Sequence, residues 1–529
     1  MQILYLTAKN YCSCNICNRC AIIIFGKMFR ILGKHILSHM QYFIGIDIGT
    51  THTKAIACEA SGKVIATYKE GYKKEKVEGV EQDADEIFQA VCQLMQQVTG
   101  FMKNRGTLAA VSFSSAMHSL VVVDERGNAL STLWTWADNR SSAYAKKLQQ
   151  SPEGKVIFEQ TGTPLHPMTP LCKIAWIRDN DPALFAKAHK FISIKEYVFY
   201  KLFGKFIIDH SIASATGLFN IHSLAWSKEA LQFAGIDETK LSEPVSPLLI
   251  VNGLEQTFCE QWGIDAQTPF VPGGSDGCLA NLGSGAIAQG EVALTIGTSG
   301  AIRQTVRSSK TDEKERLFTY ILNGDHYVSG GAINNGGIVL KWWMEQMLQD
   351  KNIEEQDFNK FFDAISKIPA GADGLVCLPY FYGERAPVWD ADAKGAFIGV
   401  TAKHSQAHFM RAVAEGICFA FAQLVKILEE NFGPISRIYA SGGFIQSSVW
   451  VQMLANILQK KITVNNAADA SAFGAVCMAM LATKTINNIE DVKKLIPADD
   501  KEYLPDGNTK DVYARQFLMF DSLYEKIKK

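Results

Sequence analysis

The sequence predicts an α/β protein in which two domains of duplicated architecture flank a central cleft. Apolar runs rich in Ile and Val, typical of buried strands, alternate with stretches of helical periodicity. The tripeptide Ile-Gly-Thr occurs at 48–50 and again at 296–298, each time between two strand-like runs. The chain has 529 residues, which is too long for one hydrophobic core but sufficient for two large domains.

The first half opens with three predicted strands joined by short turns. YFIGIDIG is followed by TTHT, then by KAIACEA, a turn at Ser61-Gly62 and KVIATYKE. A helix is expected to begin near Asp83, because acidic side chains interact favourably with a helix N-terminus. LAAVSFSS and LVVVDERG predict two more strands. The less regular region from about 132 to 246 is expected to form helices and loops that carry binding residues.

A similar start opens the second half, at GEVALTIGTSGAIRQ. SRIYASGG predicts a strand with a glycine turn, KITV predicts another strand, and a helix is expected from about Asp469. Apolar residues between Phe409 and Leu428 recur at helical spacing and predict a core helix that ends at Gly433. We therefore expect an N-terminal domain over 41–286 and a C-terminal domain over 287–529.

Residues 1–39 lack clear periodicity and are expected to lie outside the folded domains. This segment contains four closely spaced cysteines, Cys12, Cys14, Cys17 and Cys20. The alternative interpretation is that they form a zinc or iron–sulfur site. No second ligand pair follows at a zinc-ribbon distance, which favours a plain extension. The other eight cysteines are isolated in apolar surroundings, as expected for reduced, buried thiols of a cytoplasmic protein.

Composition excludes several classes of protein. Lys and Arg number 53 and Asp and Glu number 54, so a net charge of −1 offers no field for nucleic acid or an anionic membrane. No run of about 18 apolar residues occurs, so no membrane span is expected. Hydrophobic residues make up 47% of the chain, which excludes disorder as its main state.

Two turns rich in Gly and Thr are candidates for phosphate binding. GIDIGTTHTK, over 45–54, offers backbone N–H groups, hydroxyls and a lysine ammonium, and Asp47 is placed to hold a divalent cation. The spacing differs from that of a P-loop, and a plain β-hairpin is the alternative. IGTSG, over 296–300, repeats the turn without the acidic residue.

Two further glycine turns precede predicted helices. In ASGGFIQSS, over 440–448, paired glycines allow a flat ring to approach the backbone, and an ordinary strand-to-helix turn is the alternative. PGGSDG, over 272–277, places Asp276 at a predicted helix start, where the N-terminal donors favour the carboxylate. A carboxylate there can orient an attacking hydroxyl for phosphoryl transfer. The alternative is a helix N-cap, and the two roles can coexist.

The order of these motifs resembles the FGGY family of carbohydrate kinases. The resemblance extends over 41–529 and includes SSAMHSL, TWADNR, MTPLCKIAWIRDN and GAFIGVTAKHSQAHFMRAVAEG. It implies two actin-like, ribonuclease-H-like domains hinged about the cleft, and transfer of a phosphoryl group from ATP, with Mg²⁺, to a sugar hydroxyl. The expected partners are a small-molecule sugar acid and ATP, with no nucleic acid and no membrane, and a homodimer is left open.

The resemblance also implies roles for individual residues. Asp276 would be the catalytic base, and Asp47 would organise the magnesium ion together with Asp276. The implied cofactor contacts are Thr50, Thr51, Thr53, Lys54, Gly297, Thr298, Ser299, Gly336, Gly442, Gly443 and Ser447. The implied sugar contacts are Met117, His118, Trp136, Asp138, Arg140 and His166.

The expected acceptor is D-gluconate, phosphorylated to 6-phospho-D-gluconate. Four segments resemble their versions in family members that act on gluconate: SSAMHSLVVVD, TWADNRS, GTPLHPMTPL and IKEYVFYKLFG. The carboxylate of an aldonate needs cations or hydrogen-bond donors in the pocket. Arg385 is another cation, but it is expected to brace a loop rather than to contact the substrate. The alternatives are a kinase of xylulose, ribulose or glycerol, and a non-catalytic binding protein of the same fold. The candidate carboxylate ligands are Arg140, His118, His166 and Lys173.

Overall fold

The computed structural model describes residues 40–73, 80–349, 355–464, 469–496 and 501–528. The segment 1–39, with its four clustered cysteines, lies outside the described residues, so the two interpretations of that segment stay predictions. Within the described ranges, no group of three or more His, Cys, Asp or Glu side chains is arranged to hold a metal ion. Of the helices in these same ranges, none has the length and apolarity to cross a bilayer.

Strands and helices alternate along the described chain. The strands β1 to β22 lie, in chain order, at Gln41–Ile48, His52–Glu59, Val64–Gly71, Glu81–Gln82, Thr107–Ser115, Val121–Val123, Leu133–Trp134, Lys190–Ile192, Ile207–Asp209, Phe219–Asn220, Ala225–Trp226, Glu243–Val245, Phe270–Ser275, Glu291–Ile296, Gly300–Val306, Phe318–Asn323, His326–Ile333, Val376–Leu378, Ala396–Ile398, Arg437–Ser441, Ile462–Val464 and Lys501–Tyr503. The α-helices α1 to α17 lie at Ala84–Met102, Ser142–Gln149, Pro152–Thr161, Pro170–Asn180, Pro182–Lys187, Ile194–Phe203, His210–Ser214, Lys228–Ala234, Gln256–Trp262, Asp276–Gly283, Gly337–Met347, Glu355–Ser366, Gln406–Phe432, Ser448–Leu458, Ala470–Ala482, Lys510–Asp521 and Leu523–Ile527.

The first large sheet has the strand order β13-β5-β1-β2-β3. Strands β1, β2 and β3 form an antiparallel meander, as expected from their short connecting turns. Strands β5 and β13 run parallel to β1 on its other side, and each follows a helical connection. The turn from 49 to 51 therefore closes the β1–β2 hairpin at the edge where β5 and β13 also end.

The second large sheet repeats this arrangement, with the order β16-β17-β15-β14-β20-β21-β22. Its central hairpin is β14–β15, closed by the turn from 297 to 299, and β20 runs parallel to β14. The hairpin turns of the two sheets thus hold equivalent positions, each beside the carboxyl end of a parallel strand. The predicted α/β fold of duplicated architecture is confirmed.

Several predicted elements are confirmed in detail. Asp83 caps α1, because its side chain accepts hydrogen bonds from the backbone N–H groups of the first turn. Helix α13 is buried along most of its length and ends at Gly433. The region from 132 to 246 forms helices α2 to α8 with short strands, most of them around a separate apolar core, whereas α6 packs into the core of the first sheet. The eight cysteines within the described chain are unpaired, and all but the half-buried Cys92 are buried.

Helix α15 links the two halves beneath the cleft. It lies between β21 and β22 of the second sheet in the chain, yet it packs against strands β1, β5 and β13 of the first sheet and against α10. The approach is backbone to backbone: a Cβ at Gly45 would lie 2.1 Å from the Ala472 carbonyl oxygen, and one at Gly474 would lie 2.1 Å from that of Leu279. Glycine is therefore required at both positions. The domain boundary between 286 and 287 stays a prediction.

Candidate active site

A cavity of about 380 Å³ lies between the two halves and is lined by residues of both. The first half contributes side chains from the ends of β1 and β5 and from the layer after β6, and the second half contributes the β14–β15 turn. Eight of the predicted site residues belong to this lining. They are Asp47, Met117, His118, Trp136, Asp276, Gly297, Thr298 and Ser299.

Asp276 is the first residue of α10 and is half-buried at the wall of the cavity. The cap of this helix is Ser275, whose hydroxyl accepts a hydrogen bond from the Cys278 N–H at 3.4 Å. The alternative in which Asp276 is the N-cap is therefore wrong. The Asp276 Oδ1 accepts from the Gly277 N–H at 2.7 Å, which fixes the carboxylate at the helix start.

Burial raises the pKa of Asp276 to about 6, and the negative charge of Asp47 adds to this effect. The positive charge of Arg303 and the hydrogen bond from Gly277 act in the opposite direction. We predicted that helix donors would favour the charged form, but the loss of water outweighs them. At pH 7 a group with this pKa is still mostly a carboxylate, which is the form that can accept a proton.

Asp47 lies near the end of β1, and both of its carboxylate oxygens are held. The Ser114 hydroxyl on neighbouring β5 donates to Oδ1 at 2.7 Å, and the Ser471 hydroxyl at the start of α15 donates to Oδ2 at 2.7 Å. Each oxygen keeps a further lone pair for a cation. With Asp276 lining the same cavity, this pair of hard oxygen ligands fits Mg²⁺, which binds one or two carboxylates and keeps several waters.

The β1–β2 turn approaches the cavity only indirectly. The Thr50 hydroxyl accepts a hydrogen bond from Trp136 Nε1 at 3.1 Å, and it is the Trp136 ring that lines the cavity. Thr53 is buried, and its hydroxyl is hydrogen-bonded to the Tyr72 hydroxyl at 2.7 Å.

The two other predicted residues of that turn are also engaged within the protein. Thr51 is hydrogen-bonded to the adjacent His52 ring at 2.8 Å, and Lys54 forms an ion pair with Asp469 at the cap of α15. None of the predicted phosphate ligands from this turn belongs to the described lining of the cavity, in contrast to those of the β14–β15 turn.

The predicted nucleotide contacts of the second half gather around the β14–β15 turn. The Gly337 N–H donates to the Gly297 carbonyl at 2.8 Å, and a Cβ at Gly336 would lie 2.7 Å from the Ser299 carbonyl oxygen. Gly442 has φ +98°, and a Cβ there would lie 2.5 Å from the Ile296 carbonyl oxygen. Glycine is required at this position both for its dihedral and for the close approach.

Gly443 and Ser447 complete the glycine turn after β20. No atom lies within 4 Å of a Cβ built at Gly443, so this side of the turn is open. Ser447 caps α14 and accepts from the Trp450 N–H at 3.3 Å, which places the positive end of that helix next to the turn.

The predicted sugar contacts divide into two groups. Met117, His118 and Trp136 line the cavity. His118 donates from Nδ1 to the Ala215 carbonyl at 2.7 Å, and burial lowers its pKa to about 3, so its ring is neutral. His166 lies behind the cavity against the ring of Trp389, and burial lowers its pKa to about 3 as well.

Asp138, Arg140 and Lys173 lie outside the lining and support it. The Arg140 guanidinium is held by Asp138 at 2.7 Å and by Glu81, over the ring of Trp134. The buried Lys173 ammonium donates to the carbonyl oxygens of His118 and Thr135, each at 2.7 Å. Lys173 therefore fixes the backbone at His118 and next to Trp136, two residues that line the cavity.

The sequence pattern did not single out several lining residues, among them Arg303, Tyr320, Trp389 and Ser471. Arg303 had a signal, because it is the one charged residue in the strand GAIRQTV, and arginine is seldom buried. The other three had none, since their role depends on contacts between distant parts of the chain. Arg385, which was expected to brace a loop, does so and also lines the cavity.

Family models and known proteins match both halves of the chain. The model for the N-terminal domain of the FGGY family of carbohydrate kinases matches residues 42–283, and the model for its C-terminal domain matches 292–483. A gluconokinase from Bacillus licheniformis is 40% identical over 91% of this chain and 95% of its own length. A xylulose kinase from Staphylococcus xylosus is 28% identical over 92% of this chain and 100% of its own length.

Solved structures show the same fold over nearly the whole chain. The structure of a gluconate kinase from Lactobacillus acidophilus has a TM-score of 0.86 at 34% identity and covers 92% of this chain and 100% of its own. That of a ligand-bound xylulose kinase from the same organism has a TM-score of 0.86 at 33% identity, with the same coverage. Both family domains, the duplicated sheets and the cavity between them lead to one conclusion: the chain belongs to the FGGY family of carbohydrate kinases.

Proposed function

We propose that this protein transfers the γ-phosphoryl group of ATP to the 6-hydroxyl of D-gluconate, giving 6-phospho-D-gluconate and ADP. The observation that carries the proposal is one cavity lined by the Asp276 and Asp47 carboxylates, the β14–β15 turn and two arginines. The carboxylates suit an alcohol acceptor and a metal-bound nucleotide, and the arginines suit an acidic sugar. The 40% identity to a gluconokinase supports the same substrate.

Asp276 acts on the acceptor hydroxyl. Its carboxylate accepts a hydrogen bond from the 6-hydroxyl and holds that oxygen in line with the γ-phosphorus. The hydroxyl oxygen bonds to phosphorus, the bond from phosphorus to the β–γ bridging oxygen breaks, and the proton passes to Asp276. Because the proton leaves late in a loose transition state, a carboxylate with a pKa of about 6 is basic enough.

The phosphates are bound by backbone groups and by a magnesium ion. Gly297, Thr298 and Ser299 offer N–H groups and hydroxyls to the phosphate oxygens. Asp47 and Asp276 would hold Mg²⁺, which neutralises negative charge on the phosphates when bound. Gly336, Gly442, Gly443 and Ser447 border the adenosine. These assignments rest on the clustering of the glycine turns around β14.

The β1–β2 turn contributes when the two halves close on the substrates. Thr50, Thr51, Thr53 and Lys54 lie outside the cavity lining in this structure, but their turn is joined to it by Trp136 and by Asp47. Closure brings the two hairpin turns together around the phosphates and excludes water, which limits hydrolysis of ATP.

Other acceptors within the family are the main alternative. The two Lactobacillus acidophilus kinases match this fold equally well, so overall fold does not separate a sugar acid from a pentulose. A non-catalytic binding protein is a weaker alternative, because a pure binder has no need for Asp276 and Asp47 in one cavity.

A coupled ADP-release assay over gluconate, xylulose, ribulose and glycerol tests the proposal. We expect turnover with gluconate well above that with the uncharged sugars, and loss of most of kcat in Asp276→Asn with ATP affinity retained. Turnover of a pentulose but not of gluconate would overturn the substrate assignment. Near-normal turnover of Asp276→Asn would overturn the role of Asp276. Calorimetry that detects sugar and nucleotide binding without turnover would favour the binding protein.

The remaining proposals concern the setting of the enzyme. We place it in the cytoplasm, where ATP is available and where the unpaired buried thiols stay reduced. We keep the domain boundary at 286–287, between the two family matches. Whether it works as a monomer or a homodimer is a question for light scattering.

A further inference from the structure

One guanidinium group in the cavity has donors that the protein does not use. Arg303 extends from β15 into the cavity lining. Its Nε is buried and has no hydrogen-bond partner among the described residues. Arg307, four residues further along, forms ion pairs with Asp325 and Glu490 at the surface, in contrast to Arg303.

The surroundings of Arg303 keep its charge available to a ligand. It lies over Gly277, where a Cβ would be 2.9 Å from the Arg303 Nε, so a side chain at 277 would displace it. Asp276 is near enough for its pKa to be lowered by Arg303, but the two form no ion pair within the described residues. A buried N–H donor without a partner, such as the Arg303 Nε, is costly, and a bound anion would remove that cost.

The other cations near the sugar side are already engaged or uncharged. Arg140 is ion-paired with Asp138 and Glu81, and the Lys173 ammonium is used by two backbone carbonyls. His118 and His166 are both buried, which keeps their rings neutral.

Arg385 lines the same cavity but is held at one edge. Its Nε donates to Asn334 Oδ1 at 2.8 Å and its Nη2 to the Ile333 carbonyl at 3.0 Å. These bonds fix the loop before Ala386. Because Nε and Nη2 are already used, Arg385 adds positive potential to the cavity but cannot offer this pair of donors to a carboxylate. Arg303 has no such bonds.

We propose that Arg303 binds the carboxylate of the sugar acid and makes this kinase prefer an aldonate to an uncharged ketose or polyol. This inference rests on the proposed function, because a sugar acid supplies the carboxylate. A guanidinium stays charged at every physiological pH and binds both oxygens of a carboxylate at once. An uncharged sugar leaves the buried Arg303 Nε unpaired, and a site built in this way rejects such a sugar strongly.

The test compares gluconate with D-glucitol, which has the same carbon chain with a hydroxymethyl group in place of the carboxylate. Binding of each is measured by calorimetry, and phosphorylation by ADP release. In Arg303→Gln we expect gluconate affinity and kcat/KM to fall about 100-fold, while glucitol binding changes by less than about threefold. Arg303→Lys should recover part of the loss, because it restores the charge without the paired donors. The control Arg307→Gln removes one charge outside the cavity and should leave both ligands unaffected.

The outcomes separate this inference from the proposed function. If the unmodified enzyme neither binds nor phosphorylates gluconate, the proposed function fails and the inference fails with it. If it phosphorylates gluconate and Arg303→Gln keeps the preference over glucitol, only the inference fails. An equal loss for both ligands would overturn the inference, because it would mean that Arg303 acts on Asp276 or on the phosphates and not on the carboxylate. Retained ATP affinity and melting temperature identify folded variants, and Arg303→Lys provides the test should Arg303→Gln not fold.

Discussion

Lys195 holds the strand that leads to Asp276, and replacing it with methionine is expected to damage both stability and catalysis. Its ammonium is almost fully buried and forms an ion pair with Asp209 at 2.7 Å. It also donates to the carbonyl oxygens of Pro272 and Gly274, at 3.0 and 2.9 Å. These two residues lie in β13, where the pairing with β5 is irregular just before Asp276.

The magnitude follows from what the substitution leaves behind. In Lys195→Met, the Asp209 carboxylate is 1% exposed and loses its cation, and two carbonyl oxygens lose a donor. Breaking one side of a buried ion pair typically costs about 3–5 kcal/mol. For a domain of this size, about 2–4 °C of melting temperature corresponds to each kcal/mol, so a fall of roughly 6–20 °C is expected.

Thermal unfolding and steady-state kinetics measure the two effects. Lys190→Met is the matched control, because the Lys190 ammonium also donates to two carbonyl oxygens, at 2.8 Å each, but on a more exposed surface. It should cost about 1 kcal/mol. The double variant Lys195→Met with Asp209→Asn should recover much of the stability, because no charge is then left unpaired while the cap of α7 is retained.

The kinetic signature distinguishes positioning from general damage. We expect Lys195→Met to lower kcat at least about tenfold at a temperature where it is folded, with KM for ATP little changed, because the displaced group is Asp276. A melting temperature within 2–3 °C of the unmodified protein would refute the energetic argument. A normal kcat in the folded variant would show that Lys195 does not position the Asp276 turn.

Three further predictions concern the site itself. Gly442→Ala should destabilise the protein by about 1–3 kcal/mol and raise KM for ATP, because Gly442 has φ +98° and a Cβ there would contact a neighbouring carbonyl. The control Gly443→Ala adds a Cβ in open space and should leave thermal stability unchanged. Ser471→Ala removes the hydroxyl that holds Asp47 Oδ2, and a titration with Mg²⁺ should show a higher concentration for half-maximal activity. Activity should fall as the pH drops through about 6, because Asp276 becomes protonated and can no longer accept the proton, and a pH profile of kcat/KM from 5 to 9 checks this. An acidic limb centred near pH 4 would contradict the raised pKa.

Much of the fold follows from local patterns in the sequence. Strands β1, β2, β14 and β15 are apolar runs bounded by Gly and Thr, and helices α1 and α13 have recognisable ends at Asp83 and Gly433. The repeated Gly-Thr turn indicated the duplication, because the same local chemistry closes the same hairpin in both sheets.

The finer arrangement of the site depends on contacts that no local pattern contains. Ser471 holds Asp47 across 424 positions of the chain, and α15 packs on the sheet of the other half. Arg140 and Lys173 carry the charges expected of substrate ligands, but Glu81 and the His118 carbonyl, from separate elements, bind them. Burial also reverses the expected shift of the pKa of Asp276, and the extent of burial is a property of the assembled cavity.

The central claim is that Asp276 aims a sugar hydroxyl at the nucleotide across the cavity between the two halves. A crystal structure with gluconate, Mg²⁺ and a non-hydrolysable ATP analogue tests it most directly. We predict the 6-hydroxyl oxygen within about 2.6–3.2 Å of an Asp276 carboxylate oxygen and in line with the γ-phosphorus. A sugar bound elsewhere, or a 6-hydroxyl beyond hydrogen-bond reach of Asp276 in the closed complex, would contradict the account.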